Sequence, residues 1–494
     1  MKKLNLFLSA AFIMCASVMF SQFSQTLPVG LDDCCSVPQV DECIGCTVSQ
    51  QPFVARGATV NESWLIQNNL SHNAVVVQFG MGNYSEITQN DFDNDADVDQ
   101  NGNYNHSVIL QSGNRNDQDL DQDGESNYSY QEVFTDSYDN EGEVDQDGNW
   151  NTAFQFQRYD FNDADIDQEG NGNYAEQNQT GIYWSGGNDA HIDQDGNKNV
   201  AQQMQTIDFG SSGDNDADAH QDGYNNTSKE TQYAENGGDN DSDVDQDNPF
   251  EDRVGNLACV DQTADGGDND SDIDQDGYRN EAVVSQTATG HHADNDSDID
   301  QDGNFNGAWV TQTATNGEND SDIDQHGNNN FAMVSQSLSG SGSDNNSDIH
   351  QDNNNNQAWV IQTGSNGVDN DSDIHQDGFG IAIVVQDGDG VENDSDIDQN
   401  GVNNIACVNQ YGTDGSNNSD IMQTGYGGLD NFVSVDQNSG GGNNDSDITQ
   451  DGNNNYACVK QTASSGADNY VNGTQTGDNN SYTVTQTGNS TLSF

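Results

Sequence analysis

The sequence predicts an all-β fold, a β-solenoid in which strand–turn–strand units stack into two parallel sheets. Three observations lead there. Thirty-five half-units on the pattern of Asn, five residues and Gln, three of them imperfect, run between Asn61 and Gln486. Within each half-unit, character alternates residue by residue, which is the period of a strand and leaves no apolar helical stripe. Only 31% of the 494 residues are hydrophobic, against the ~45–50% apolar content of ordinary soluble domains. Low hydrophobicity with high charge would by itself predict disorder, but a strict repeat can bury a thin core by stacking rather than by collapse.

The repeat is regular enough to assign strands and turns. Gln67, Gln78, Gln89, Gln100, Gln111 and Gln122 follow in steps of 11 residues, and the series runs on to Gln486 with one break, at Val133. Asn stands six residues earlier in 33 of the 35 half-units, with His72 and Gly380 as the exceptions. Half-units alternate between an Asp-rich and a neutral type, as in Asn295-Asp-Ser-Asp-Ile-Asp-Gln301 followed by Asn306-Gly-Ala-Trp-Val-Thr-Gln312. From an acidic Gln to the next neutral one the gap is mostly 11, as from Gln275 to Gln286. The return gap varies, with 13 residues from Gln312 to Gln325 and 15 from Gln336 to Gln351. One turn is therefore tight and the other tolerates insertion. The tight turn, Gln301-Asp-Gly-Asn-Phe-Asn306, carries turn formers with a stereochemical reason to be there. The loose one, Thr313-Ala-Thr-Asn-Gly-Glu318, is rich in Thr, Asn and Gly.

Alternation assigns the faces. In the acidic strand Asn295, Ser297, Ile299 and Gln301 point inward and Asp296, Asp298, Asp300 and Asp302 outward. In the neutral strand Asn306, Ala308, Val310 and Gln312 point inward. Each inward amide then lies over its counterpart in the next coil. The set Asn295, Gln301, Asn306, Gln312, Asn319, Gln325, Asn330 and Gln336 is expected to bond in ladders along the axis, satisfying groups that are otherwise costly to bury. About 17 coils at ~4.8 Å per rung give a rod roughly 80 Å long.

Two segments precede the repeats. Residues 1–21 read as a secretory signal peptide, with Lys2 and Lys3, an apolar run from Leu4 to Phe20, and small Ser21. This predicts export without a transmembrane anchor. Ile13-Met14 is a poor setting for lipidation of Cys15. Residues 22–60 gather Cys34, Cys35, Cys43 and Cys46 with Pro28, Pro38 and Pro52. Two disulfides of undetermined pairing are expected in an exported segment, a four-thiolate zinc site being the alternative. The solenoid domain is assigned to residues 61–494.

Charge restricts the partners. With 10 basic and 85 acidic residues the net charge is −75, which excludes nucleic-acid binding and opposes direct docking on anionic lipid. Cations are the natural small partners. Outward Asp residues recur coil after coil, and neighbours stacked at ~4.8 Å repel by roughly 1 kcal/mol in a water-like dielectric. Asp298, Asp300, Asp322, Asp324 and Asp348 are the candidate cation-attracting residues. A weakly bound Ca2+ is the one cofactor considered, and a merely solvated, aggregation-resistant wall is the alternative. The run Asp298-Ile-Asp300-Gln-Asp302-Gly303 imitates the start of an EF-hand loop, but Trp309 stands where that loop needs an acidic bidentate ligand. His350 and His375 take outward Asp places in neighbouring coils, either as exposed substitutions or as transition-metal ligands.

On the neutral side, Cys259, Val283, Trp309, Met333, Trp359, Ile383, Cys407 and Cys458 form one column, broken by Ser434. An outward apolar stripe of this length suggests lateral contact, centred on Trp309, Met333 and Trp359. The half-units at the two ends, Asn61-Glu-Ser-Trp-Leu-Ile-Gln67 and Asn480-Ser-Tyr-Thr-Val-Thr-Gln486, lack the Asp columns. They expose strand edges that suit either head-to-tail addition or a cap. No carboxylate is singular enough for acid–base catalysis, so no enzymatic activity is expected.

The pattern Gln325-x4-Asn330-x5-Gln336, with Asn319 separated from Gln325 by five residues, resembles the curlin repeat. It recurs at Gln275/Asn280/Gln286, Gln301/Asn306/Gln312 and Gln450/Asn455/Gln461. The resemblance implies a secreted, amyloid-forming structural subunit of curli-like extracellular fibres serving biofilm matrix and adhesion. It further implies self-association, an outer-membrane secretion channel and accessory proteins. The chain departs from the family pattern in its longer array, its acidic outer face and its Cys-containing rather than Gly-rich N-terminal segment. A monomeric, acidic, Ca2+-dependent repeat adhesin is the alternative.

Overall fold

The structure is a computed structural model that describes residues 60–181, 187–208, 213–425, 431–488 and 490–493. All of them belong to one compact unit, residues 56–494. The signal peptide, Cys15 and the four-cysteine segment lie outside the described residues.

Thirty-six strands run from Glu62–Gln67 to Ser490–Ser493, with no helix among the described residues. Each strand pairs in parallel with the next strand but one, so alternate strands build two 18-stranded sheets. This is the predicted β-solenoid. Its last strand, Ser490–Ser493, pairs with Asn469–Thr476 although it carries no Gln.

Sequence alternation becomes burial alternation. In the strand Asp294–Asn304, Asn295, Ser297, Ile299 and Gln301 are buried and the Asp residues between them are exposed. In the strand Gly307–Thr315, Ala308, Val310, Gln312 and Ala314 are buried. The register is residue on like residue: Asn269, Asn295 and Asn319 align, as do Ile273, Ile299 and Ile323. Ile columns from the acidic sheet therefore meet Val and Ala columns from the neutral sheet, and the core is two side chains thick.

That core is divided. One cluster runs from Ile87 to Ala219 and another from Val244 to Val484. Between Tyr128 and Glu235 the neutral strands carry Gln131, Gln155, Gln177, Gln203 and Glu230 at the position that Val260, Val284 and Val310 fill later. The Gln side chains bond along the stack, Gln131 to Gln155 at 2.9 Å and Gln177 to Gln203 at 3.1 Å. An internal polar ladder thus takes the place of aliphatic packing in these coils.

The tight turn repeats a backbone device. Gly303 has φ +129° and Phe305 φ +59°, a pair of left-handed residues that folds the chain back within five residues. A Cβ on Gly303 would lie 1.8 Å from the Gly327 carbonyl oxygen of the next coil. Glycine is needed there for close stacking as much as for its φ. The other turns absorb insertions without loss of register: Gln205 and Gln232 are 27 residues apart, yet they bond at 3.0 Å. One tight turn is also stretched, over residues 249–256, where Arg253 caps the Tyr278 ring at 4.9 Å.

Candidate functional site

The repeated surfaces begin with the amides that hold the rungs in place. Gln301 Nε2 donates to Gln325 Oε1 at 2.8 Å, while Gln301 Oε1 accepts from Gln275 at 2.8 Å. The second Gln301 hydrogen goes to the Glu281 carbonyl of the facing sheet at 3.3 Å. In the neutral strand Gln312 bonds Gln336 at 2.9 Å and the Asp296 carbonyl at 2.6 Å. Each Gln thereby ties its coil to the next and one sheet to the other. Asn319 Nδ2 donates to Asn295 Oδ1 at 2.8 Å. This Asn ladder donates toward the N-terminal end, opposite to the Gln ladders.

Asn306 and Asn330 depart from the stacked-amide expectation. Asn306 Oδ1 accepts the Asn330 backbone N–H at 3.1 Å, and Asn306 Nδ2 donates to the Gly327 carbonyl at 3.1 Å. Asn330 Nδ2 reaches the Asn353 carbonyl at 3.1 Å. These residues clamp tight turns because they sit at the strand entrance, where turn carbonyls have no ladder partner and must be satisfied.

Outside the acidic sheet, Asp272, Asp298, Asp322, Asp348, Asp373 and Asp396 align in one column. A groove runs between this column and the next, from Asp243 and Asp245 past Asp298 and Asp300 to Asp324, Asp348 and His350. Half-burial, then the Asp243 and Asp298 charges, pushes the Asp272 carboxyl up to about 6. Half-burial, then Asp348 and Asp298, does the same to Asp322. Asp298 and Asp300 are raised by burial and then by Asp324, and Asp348 by burial and then by Asp373. Side chains one rung apart shield each other from water, so like charges meet in a reduced dielectric. Asp298, Asp300 and Asp302 lie on a strand, with their intervening side chains in the core; they do not form a calcium-binding loop.

The neutral face is less open than its composition suggests. Trp309, Met333 and Trp359 are half-buried, whereas Cys259, Val283, Ile383 and Cys407 of the same column are buried. Phe331, one column over, packs edge-on against Trp309 at 5.0 Å and tilted against Trp359 at 5.7 Å between ring centroids. A continuous exposed apolar stripe is therefore not present; three half-exposed side chains around Phe331 are.

Larger apolar exposure lies at the first rungs. Trp64, Leu65, Ile66 and Phe79 are 60%, 50%, 48% and 62% exposed. Among the described residues, Glu62–Gln67 pairs only with Tyr84–Gln89, and Val75–Met81 only with Asp95–Asn103. At the other end, again among the described residues, Ser481–Thr487 pairs only with Tyr456–Ser464, and Leu492 is 43% exposed. Both ends present strand edges.

Two features were not singled out from the sequence. Glu230 is buried at the end of the internal Gln ladder, where it accepts from Gln203 at 3.4 Å and from the Ser242 hydroxyl at 3.0 Å. Burial drives its carboxyl well above the usual range. Its signal was readable as a Glu two residues before Gln232, in a column otherwise of Gln or aliphatic residues. His326 is the second: it joins Asp324 and His350 on the acidic face.

No helix among the described residues is long and apolar enough to cross a membrane. The Curlin associated repeat matches residues 93–124, 266–294 and 317–352. That family is structural rather than enzymatic and implies an extracellular or surface location. No curated protein matches the chain. The matched stretches cover strands of both the acidic and the neutral kind, in separate parts of one continuous stack with a single inward code. The chain carries curlin-associated repeats in these three stretches.

Proposed function

We propose that this protein is a secreted structural subunit of curli-like extracellular fibres, serving biofilm matrix and surface adhesion. The observation that supports this most directly is the pair of strand edges at the ends of a stack whose interior is already an in-register parallel ladder. Trp64, Leu65 and Ile66 are exposed on the first rung without an Asp column beside them. A second copy adding its final rung there continues the backbone ladder, buries these side chains and requires no refolding. The Gln ladder has one direction of donation throughout, so the addition is head to tail. Trp309, Met333 and Trp359 offer a smaller lateral contact between rods. By resemblance, export proceeds through a curli-type outer-membrane channel with accessory proteins.

The acidic groove favours one competing reading, a monomeric adhesin whose folding depends on Ca2+ held weakly between rungs. Electron microscopy and amyloid-dye binding of purified protein, with Ca2+ or with chelator, separate the two. Fibres that form in chelator support the subunit reading. Soluble rods that fold only with Ca2+ overturn it. Replacing Trp309 and Trp359 by Ser should leave single fibres intact and reduce their bundling.

A further inference from the structure

Where the acidic groove reaches His350, its chemistry changes. Asp324 stands between two imidazoles. His326 Nδ1 lies 2.6 Å from Asp324 Oδ1, and His350 Nδ1 lies 2.8 Å from Asp324 Oδ2. His350 Nε2 lies 3.3 Å from Asp352 Oδ2, and the His375 ring is 5.1 Å from the His350 ring. The ligand atoms of Asp324, His326 and His350 lie within 4.8 Å of one another, as do those of His350, Asp352 and His375. Asp324 Oδ1 and His326 Nδ1 are buried, and neither makes a hydrogen bond of acceptable geometry. Two adjacent polar atoms screened from water without a hydrogen bond are a costly arrangement, and a cation between them relieves it.

We infer that Asp324, His326 and His350 bind one divalent transition-metal ion of the Zn2+ or Ni2+ class. The donor set decides the class. Carboxylates alone suit hard cations such as Ca2+, and they make up the rest of this groove. Neutral imidazole nitrogens select Zn, Ni and Cu. Zinc–nitrogen bonds of about 2.0–2.1 Å set donors on one ion roughly 3.3 Å apart in a tetrahedral site, so the close Asp324–His326 and Asp324–His350 contacts must open slightly to admit the ion, and all three side chains are partly exposed and able to turn. A neutral imidazole has a single lone pair, so His350 serves either this triad or the one with Asp352 and His375, and the stoichiometry is one ion per chain. Asp324 and His326 belong to one coil and His350 to the next, where Asp324 aligns with His350 and His326 with Asp352. The ion therefore ties two rungs together and offsets the carboxylate repulsion at that point of the wall. His191 and His220 lack such a set: they face Asp165 and Asp193 in single pairs.

The test uses the full-length protein with its cysteines alkylated, so that thiolates do not compete. Calorimetric titration with Ni2+ and with Ca2+ compares the wild type with the double variant His326→Asp, His350→Asp. Each substitution introduces the residue that the preceding coil carries in the same column, Asp302 for His326 and Asp324 for His350, so the fold is expected to persist, and circular dichroism checks it. The expected result is one Ni2+ site in the wild type, weakened at least tenfold in the variant, with Ca2+ binding not reduced. Co2+ should give imidazole-dependent visible absorption in the wild type that the variant loses. Undiminished Ni2+ affinity in a folded variant, or a wild type that binds Ni2+ no better than Ca2+, overturns the inference.

Discussion

Buried hydroxyls and carboxyls along the stack carry individual consequences for stability. Ser271, Ser297, Ser321 and Ser347 bury their hydroxyls in the acidic-strand column without a hydrogen bond, and Ala96, Ala164, Ala190 and Ala217 occupy the same column in earlier coils. Ser297→Ala removes an unsatisfied group at nearly constant volume. It should leave the thermal midpoint unchanged or raise stability by about 1 kcal/mol, as melting curves would register. Glu230 behaves differently because it titrates. Its folded-state value lies above its unfolded one, so the folded chain holds the extra proton. The resulting stability is full below the unfolded carboxylate range and is lost as pH rises toward the folded value. Glu230→Gln continues the neutral Gln ladder from Gln203. Its stability advantage over the wild type should be small at pH 4 and should grow toward pH 8, and a constant advantage would contradict this.

At the scale of the strand and turn, the paired requirement of Gly303 is the most specific commitment. Its φ of +129° and the 1.8 Å approach of the Gly327 oxygen to a built Cβ leave no room for a side chain. Gly303→Ala should cost at least about 2 kcal/mol, felt locally because each coil touches only its neighbours. Hydrogen exchange should speed up over the strands Asp294–Asn304 and Glu318–Asn328 and stay unchanged in distant coils. Stacking without loss of register also depends on where insertions go. The extra residues before Asn256 are looped out, and Asn256 Nδ2 still reaches the Gln275 and Gly277 carbonyls at 3.1 and 3.2 Å.

For the molecule as a whole the governing term is the acidic wall. Asp121, Asp163, Asp216, Asp272, Asp322, Asp371 and Asp396 are each pushed up to about 6 by burial and then by neighbouring Asp residues. Unfolded Asp titrates near 3.9. Between roughly pH 4 and 6 the folded chain therefore holds more protons than the unfolded one, and stability falls as pH rises through that window. The thermal midpoint at low salt should drop from pH 4 to pH 7 and then level off. Added salt should reduce the drop by screening the exposed part of the repulsion. The same protonation should ease end-to-end addition of acidic rods, so fibre growth is expected to be faster at mildly acidic pH.

The strands, the two turn types, the inward code of Asn, small residue, aliphatic and Gln, and the outward Asp columns were all legible in the sequence. Each depends on residues within one half-unit, and a period of two fixes which face a side chain takes. Glu230 was legible too, as a carboxyl in an inward column, once that column was compared coil by coil. What lay beyond the sequence depends on the neighbouring rung. Whether Trp309 or Val283 is open to water is set by the rung above and below, not by the alternation that points both outward. The use of Asn306 and Asn330 as turn clamps depends on the position of carbonyls in the next coil. His326, His350 and His375 are 24 and 25 residues apart in sequence and converge only because the turns absorb unequal insertions outside the register. The sequence determined the strand and its faces because those are local; the stack decided exposure, charge coupling and site formation because those arise between coils.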